Sequence, residues 1–149
     1  MKKEPIKSIA WEILKLIIPA SIGFLLAYIT FSKQYDANEK GRLNENLNKL
    51  LDIDLQYTFV EDSAFIAWWD KHQGSNSDSS LKYQVYCEYV FNFLQNTGEY
   101  FNYNKRKIAD FVDAEDLITQ HKGWWMAPAQ MNSHSYPDKF KEFIGQYLK

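Results

Sequence analysis

Residues 16–32, LIIPASIGFLLAYITFS, run for seventeen residues without a charge, and the fold class of the whole chain follows from what this run is. At about 1.5 Å of rise per residue a helix of this length reaches roughly 25 Å, just short of a hydrocarbon core of about 30 Å. Starting the helix at Ile9 closes the gap. Glu12 and Lys15 then carry their charges toward one interface with Trp11 among the headgroups, and Lys33 and Tyr35 mark the other. Residues 9–32 therefore read as a transmembrane helix behind a basic flank, residues 1–8. A secretory signal peptide shares the basic start and apolar middle but ends in small residues of A-x-A type. This run ends in Tyr28, Ile29, Thr30, Phe31 and Ser32, so an uncleaved anchor is expected. A soluble core helix apolar on every face for this length would be unusual. Pro19 predicts a kink, which lipid-embedded helices tolerate. Gly23 and Ala27 set a small-xxx-small spacing that suits either a homodimer through the membrane helix or an ordinary lipid-facing turn.

Residues 33–149 are enough for one compact soluble domain. The net charge of the chain is −2 and no basic patch stands out, which argues against nucleic acid as a partner. Cys87 is the only cysteine. An intrachain disulfide and a cysteine-based metal site are thereby ruled out, and Cys87 is expected to be a small buried apolar residue. Aromatic residues make up 17% of the chain, a share that suits a small core in need of large side chains, or an interaction surface. The localisation read from the anchor is single-pass in a cell membrane. Lys2, Lys3, Lys7 and Lys15 precede the helix and Lys33, Lys40, Arg42 and Lys49 follow it, a tie by count. The denser upstream group favours a cytoplasmic N-terminus and an exported domain. The absence of any N-x-S/T acceptor and the single thiol suit a cytoplasmic domain equally well, so the side of the soluble domain stays open.

Residues 33–42 form a polar juxtamembrane stalk that either continues the helix or breaks it, with Asp36 and Glu39 spaced as an N-cap and its box partner. The soluble domain, 43–149, begins with Leu43, Leu47, Leu50 and Leu51 on one helical stripe. Asn44, Asn46 and Asn48 between them are weak helix formers, so this helix depends on packing. The stripe lasts under two heptads, too few to assign a coiled coil. Glu61 and Asp62 open the next helix, with Phe65, Trp68, Trp69 and His72 toward one side. Gln73–Ser80 has no apolar residue and reads as a flexible loop.

The following helix is predicted to be central, with Val85, Tyr86, Tyr89, Val90, Phe93 and Leu94 as its apolar face and an end or bend at Gly98. Asn104 caps a segment through Ile108, Phe111 and Val112. Asp113 caps another that carries Leu117, Ile118, His121, Trp124 and Trp125 until Pro128 stops it. Residues 126–136 read as an irregular connection. Pro137 is expected as the first residue of a final helix bearing Phe140, Phe143, Ile144, Tyr147 and Leu148. The best strand candidate, Asp54–Val60, is short. The expected fold is all-α: one N-terminal transmembrane helix followed by a small soluble helical bundle.

No motif of catalysis or ligation stands out. His72, His121 and His134 lack metal-ligand spacing, the serines lack a G-x-S-x-G context, and no glycine-rich phosphate cradle occurs. No cofactor is expected. The acidic pairs Glu61 with Asp62 and Glu115 with Asp116 fall at predicted helix starts, where the macrodipole accounts for them. The most distinctive stretch is His121–Tyr136, HKGWWMAPAQMNSHSY. Trp124, Trp125, Met126 and His134, together with the second tandem pair Trp68 and Trp69, form a candidate interaction surface for a partner protein, a lipid interface or a small apolar ligand. Adjacent helix positions lie about 100° apart, so both members of a pair are not expected to share one burial direction. The alternative is that both pairs plug a small core.

The anchor, the Trp68 helix, the YCEYVFNFLQNTGEYF helix, the DAEDLITQHKGWW helix and the terminal YPDKFKEFIGQYL helix together resemble uncharacterised bacterial single-pass membrane-anchored helical proteins, some of them linked to abortive phage infection. The resemblance covers most of the chain, brings no catalytic residue with it and implies a bacterial accessory or defence role. The expected function is a non-enzymatic, membrane-anchored interaction or sensor module with a protein partner of unknown identity. The alternatives are a structural subunit of a larger membrane complex and a small hydrolase-like enzyme using His121 or His134 with a carboxylate.

Overall fold

Helix α1, Ile6–Gln56, runs for 51 residues and contains Pro19 in its interior. The computed structural model describes residues 6–73, 75–127 and 135–148. The polar stalk continues the helix, so Asp36 and Glu39 lie inside it and neither caps a start. Alanine, glutamate, lysine and arginine favour the helical interior, and Gly41 costs only about 1 kcal/mol relative to alanine. The chain divides into two units, residues 1–41 and 42–149.

In the first unit the described apolar side chains of α1, from Ile17 onward, are exposed: Phe24 is 77% and Phe31 70% exposed. Among the described residues α1 is the one helix long and apolar enough to cross a membrane, by length and composition. The Thr30 hydroxyl donates to the Leu26 carbonyl at 2.9 Å, which satisfies a polar group within the helix itself. Gly23 and Ala27 are both exposed, and nothing lies within 4 Å of the position a Gly23 side chain would take.

The second unit is all helical among its described residues. The end of α1 contributes buried Leu43 and Leu50. Asp54–Gln56 completes α1 and a one-turn 3-10 helix, Thr58–Glu61, follows, so the stretch considered for a strand is helical on both sides of Tyr57. The Asp62 carboxylate accepts from the Phe65 amide at 2.8 Å and starts α2, Ser63–Lys71. Glu61 closes the preceding turn instead of opening this helix. Helix α3, Asp78–Tyr100, begins inside the segment expected as a loop, because Ser77 Oγ accepts from the Ser80 amide at 3.2 Å and Asp78 occupies the first turn. Both features suit a helix N-terminus. Ser80 is fully buried, and its hydroxyl accepts from Trp69 Nε1 at 3.0 Å.

The inward face of α3 also differs from the expected one. Tyr83, Tyr86, Cys87, Val90, Phe91, Phe93 and Leu94 are buried, whereas Val85 is 53% and Tyr89 50% exposed. Apolar residues lie all round this helix, so periodicity alone does not choose a side. The indoles of Trp124 and Trp125 choose it by stacking on Phe91, with ring centroids 5.2 and 4.9 Å away. Past Tyr100 the chain reverses through Asn102 and Tyr103, at φ 50° and 57°. The Tyr103 amide donates to the Gly98 carbonyl, and the Tyr103 ring lies where any side chain at position 98 would stand, 2.5 Å from its Cβ. Gly98 is thus inside the helix and serves this close approach.

Asn104 caps α4, Lys105–Ala109, and Asp113 caps α5, Ala114–Gln120, through the Lys107 and Asp116 amides at 3.2 and 3.0 Å. The helix expected to run on toward Pro128 breaks at His121 (φ −102°, ψ 16°) and resumes as α6, Lys122–Trp125. Pro128 and the rest of 128–134 lie outside the described residues. Helix α7, Asp138–Gly145, has Pro137 as its N-cap, one position earlier than expected, and Tyr147 and Leu148 pack half-buried beyond its end.

The face assignment on α3 separates two aromatic residues two positions apart. Phe91→Ala is expected to cost about 3–5 kcal/mol, while Tyr89→Ala stays within about 1 kcal/mol, as read by denaturant unfolding. Equal losses would place Tyr89 on the inward face beside Phe91.

Candidate functional site

Glu61 is where the second unit gathers its polar chemistry. It closes the 3-10 turn that packs against α2 and α3, so its carboxylate is delivered to the side of α3. The Tyr86 hydroxyl donates to Glu61 Oε1. The His121 Nε2 lies 3.4 Å from the same oxygen, and Gln120 Nε2 donates to the Glu61 backbone carbonyl at 3.0 Å. The other imidazole nitrogen, His121 Nδ1, is 3.0 Å from the Tyr83 hydroxyl. An ionised carboxylate only accepts. The consistent assignment therefore has Nε2–H directed at Glu61 and Nδ1 accepting from Tyr83. His121 and Tyr83 are fully buried, whereas Glu61 keeps 28% of its side chain exposed.

Electrostatics follow from this enclosure. Burial by itself would raise the Glu61 carboxyl, but the hydrogen bonds from His121 and Tyr86 more than offset it and hold the group below the ordinary glutamate range. The Tyr83 and Tyr86 phenols are pushed up, by burial first and then by Cys87 and Glu61 respectively. Burial also drives the Cys87 thiol well upward, so it stays protonated and is a poor nucleophile. Tyr83 contacts both Cys87 and His121, which makes one polar chain of Cys87, Tyr83, His121, Glu61 and Tyr86 through an otherwise aromatic interior.

Glu61 and Tyr86 reach the surface in a cleft of about 280 Å³, walled by Leu47, Leu50 and Leu51 from α1 and by Val112 and Leu117. Asp54, Asp113 and Asp116 stand on its rim. The Asp54 carboxyl is raised, by burial and then by the charge of Glu61. A second groove of about 280 Å³ is lined by Ile53, Tyr57, Leu81, Lys82 and Val85 and shares Tyr86 with the first. The Lys82 ammonium lies 4.9 Å from the Tyr57 ring centroid and 2.7 Å from the Asp78 carboxylate.

A histidine between a carboxylate and a phenol is the arrangement used for proton transfer. Here the imidazole is sealed from solvent and is not part of the cleft lining, and its two contacts join the 3-10 turn, α3 and the α5–α6 break. Among the described residues no group of histidines, cysteines and carboxylates is arranged to hold a metal.

The tryptophan pairs divide differently from the surface that the sequence suggests. Trp69, Trp124 and Trp125 are 0%, 2% and 8% exposed and belong to the core. Both members of the second pair stack on Phe91 because the break at His121 turns a four-residue helix inward, and large aromatic area drives their burial. Trp68 remains 38% exposed and stacks on His72 at 4.9 Å, and Met126 is 67% exposed. His134 lies outside the described residues. His72 Nδ1 donates to the Trp68 carbonyl at 2.8 Å. Trp124 Nε1 and Thr97 Oγ1 are buried with no hydrogen-bond partner among the described residues.

The Glu61–His121 contact joins residues sixty positions apart. Its one sequence signal is a histidine within the apolar stripe of Leu117, Ile118 and Trp124, a place where an imidazole needs a polar partner. Comparison with protein families, with curated proteins and with solved structures gives no match for this chain.

The depressed Glu61 carboxyl sets a pH dependence. Its contribution to stability is present above the unfolded value, about 4.3, and is lost as pH falls through the lower folded value. Thermal unfolding of wild type between pH 7 and pH 3 should show this loss, and Glu61→Gln, which keeps an acceptor oxygen but does not titrate, should flatten it. Glu61→Ala leaves the buried His121 N–H unpaired and should cost about 1–3 kcal/mol at pH 7. An acid limb as steep in Glu61→Gln as in wild type would assign the effect to other carboxylates.

Proposed function

We propose that the chain is a single-pass, membrane-anchored and non-enzymatic interaction or sensor module. The observation that carries this reading is the uncovered apolar run of α1: Ile17, Phe24, Leu26 and Phe31 are between 56% and 77% exposed. At about 25 cal/mol per Å² of apolar surface, leaving such a run in water is costly, and a lipid environment removes the cost. The domain behind it offers exposed apolar side chains to a protein partner, among them Leu81, Val85 and Tyr89 on α3. The His121–Glu61 pair is closed to substrate at the imidazole, and the Cys87 thiol is sealed, which supports a binding role over a hydrolytic one. The resemblance to bacterial membrane-anchored helical proteins supports an accessory or defence setting.

The anchor is tested on the full-length chain. Wild type should stay with the membrane through alkaline carbonate extraction, and Leu25→Lys, which adds about 2.5–3.5 kcal/mol at the centre of a span, should release it. Release of wild type would sink the anchor. Sidedness needs an exposed thiol, since Cys87 is fully buried. With an exported domain, Asn76→Cys should be labelled by an impermeant maleimide on intact cells while wild type is not. Protection of Asn76→Cys until lysis would put the domain inside the cell.

A further inference from the structure

Helix α4 presents three consecutive cations, Lys105, Arg106 and Lys107, all of them exposed. Lys105 is engaged within the chain, its ammonium 4.4 Å from the Tyr147 ring centroid. The side chains of Arg106 and Lys107 have no hydrogen-bond or ion-pair partner among the described residues.

The apolar cleft beside α4 is their complement. Its walls are aliphatic, its carboxylates are Asp54, Glu61, Asp113 and Asp116, and no lysine or arginine lines it. Glu61 faces His121, and the other three have no basic partner among the described residues. The uncompensated charge is felt at Asp54, whose carboxyl is raised by burial and then by Glu61. A cleft with leucine walls and an acidic rim suits the side chain of lysine or arginine, which lays its aliphatic stem on apolar surface and carries its charged head to the carboxylates.

Both features belong to the second unit, and they abut. Val112, a wall of the cleft, donates its amide to the Ile108 carbonyl of α4 at 2.8 Å. Abutting patches of opposite charge are complementary to themselves under a twofold axis, which lays α4 of each copy on the cleft of the other and makes the same contact twice.

We propose that the cleft docks a second copy of this chain, in a twofold dimer in which Arg106 and Lys107 of each copy enter the cleft of the other and meet Asp54 and Asp116. This deepens the interaction-module reading by naming a partner, and it uses neither the anchor nor the side of the membrane on which the domain lies.

Co-capture of two differently tagged full-length copies, co-expressed and solubilised in mild detergent, tests the dimer. Wild-type copies should capture each other, and added salt should weaken the capture. Arg106→Glu with Lys107→Glu should abolish self-capture, as should Asp54→Lys with Asp116→Lys, because like charges then face each other in both contacts. Asp113 is left in place because it caps α5. Mixing the two double variants should restore capture, since both contacts again join opposite charges, and restoration also shows that each variant is folded. Wild-type copies that do not capture each other, double variants that still self-associate, or a mixture that stays apart each overturn the proposal. Capture of a different protein through the cleft, with no capture between wild-type copies, overturns the second copy as its occupant. Carbonate extraction of the same membranes reads the anchor separately. Charge-dependent capture of an extractable protein upholds the dimer without the anchor, and a resistant protein with no capture upholds the anchor and overturns the dimer.

Discussion

A fully enclosed imidazole constrains everything around it. His121 has no solvent to hydrogen-bond with, so both of its nitrogens need protein partners, and the two that it finds, Glu61 and Tyr83, sit on different elements. Leaving either nitrogen unpaired in this interior would cost free energy comparable to a lost hydrogen bond. The 3-10 turn must therefore present Glu61 at one height of α3, and the chain must break between α5 and α6 where the ring is placed. The same break brings Trp124 and Trp125 onto Phe91, so one polar requirement and one aromatic cluster depend on a single joint.

The aromatic content is how a domain of this size fills its interior. The described helices after α3 are short, between four and eight residues, and isolated helices of such lengths are not stable in water. They persist because each carries side chains of large area into a shared core: Ile108 from α4, Ile118 from α5, the two indoles from α6, and Phe140 and Phe143 from α7. Capping by Asn104 and Asp113 places each start. The core is knitted by edge and stacking contacts between rings, such as Trp125 on Phe140 at 5.7 Å, while the Lys82–Asp78 and Lys141–Asp138 ion pairs lie at the surface.

Helix α1 changes character along its length. Its apolar run is long and apolar enough to cross a membrane, by length and composition, and its last turns pack on one side only, with Leu43 and Leu50 inward and Leu51 and Leu55 outward. The helix continues through the polar stretch between them because most of those residues are good helix formers, and an interruption there would leave backbone groups in need of new partners. The sealed state of Cys87 and His121, set against the open apolar surface of α3, is what supports the binding role proposed for the domain.

Much of this was legible in the residues themselves. The apolar run from Leu16 to Ser32, the all-helical class, the caps at Asn104 and Asp113 and the burial of Cys87 follow from local rules of length, propensity and capping, which need no knowledge of neighbours. Three features depended on tertiary contacts. Periodicity could not choose the inward face of α3, because apolar residues surround that helix and only the indoles of α6 decide between Phe91 and Tyr89. Composition marked Asp78–Ser80 as loop, but Ser80 is held in the core by Trp69. Helix-start rules explained Glu61 sufficiently to hide its role, since the partner that redefines it is sixty residues away and meets it only when the chain has folded.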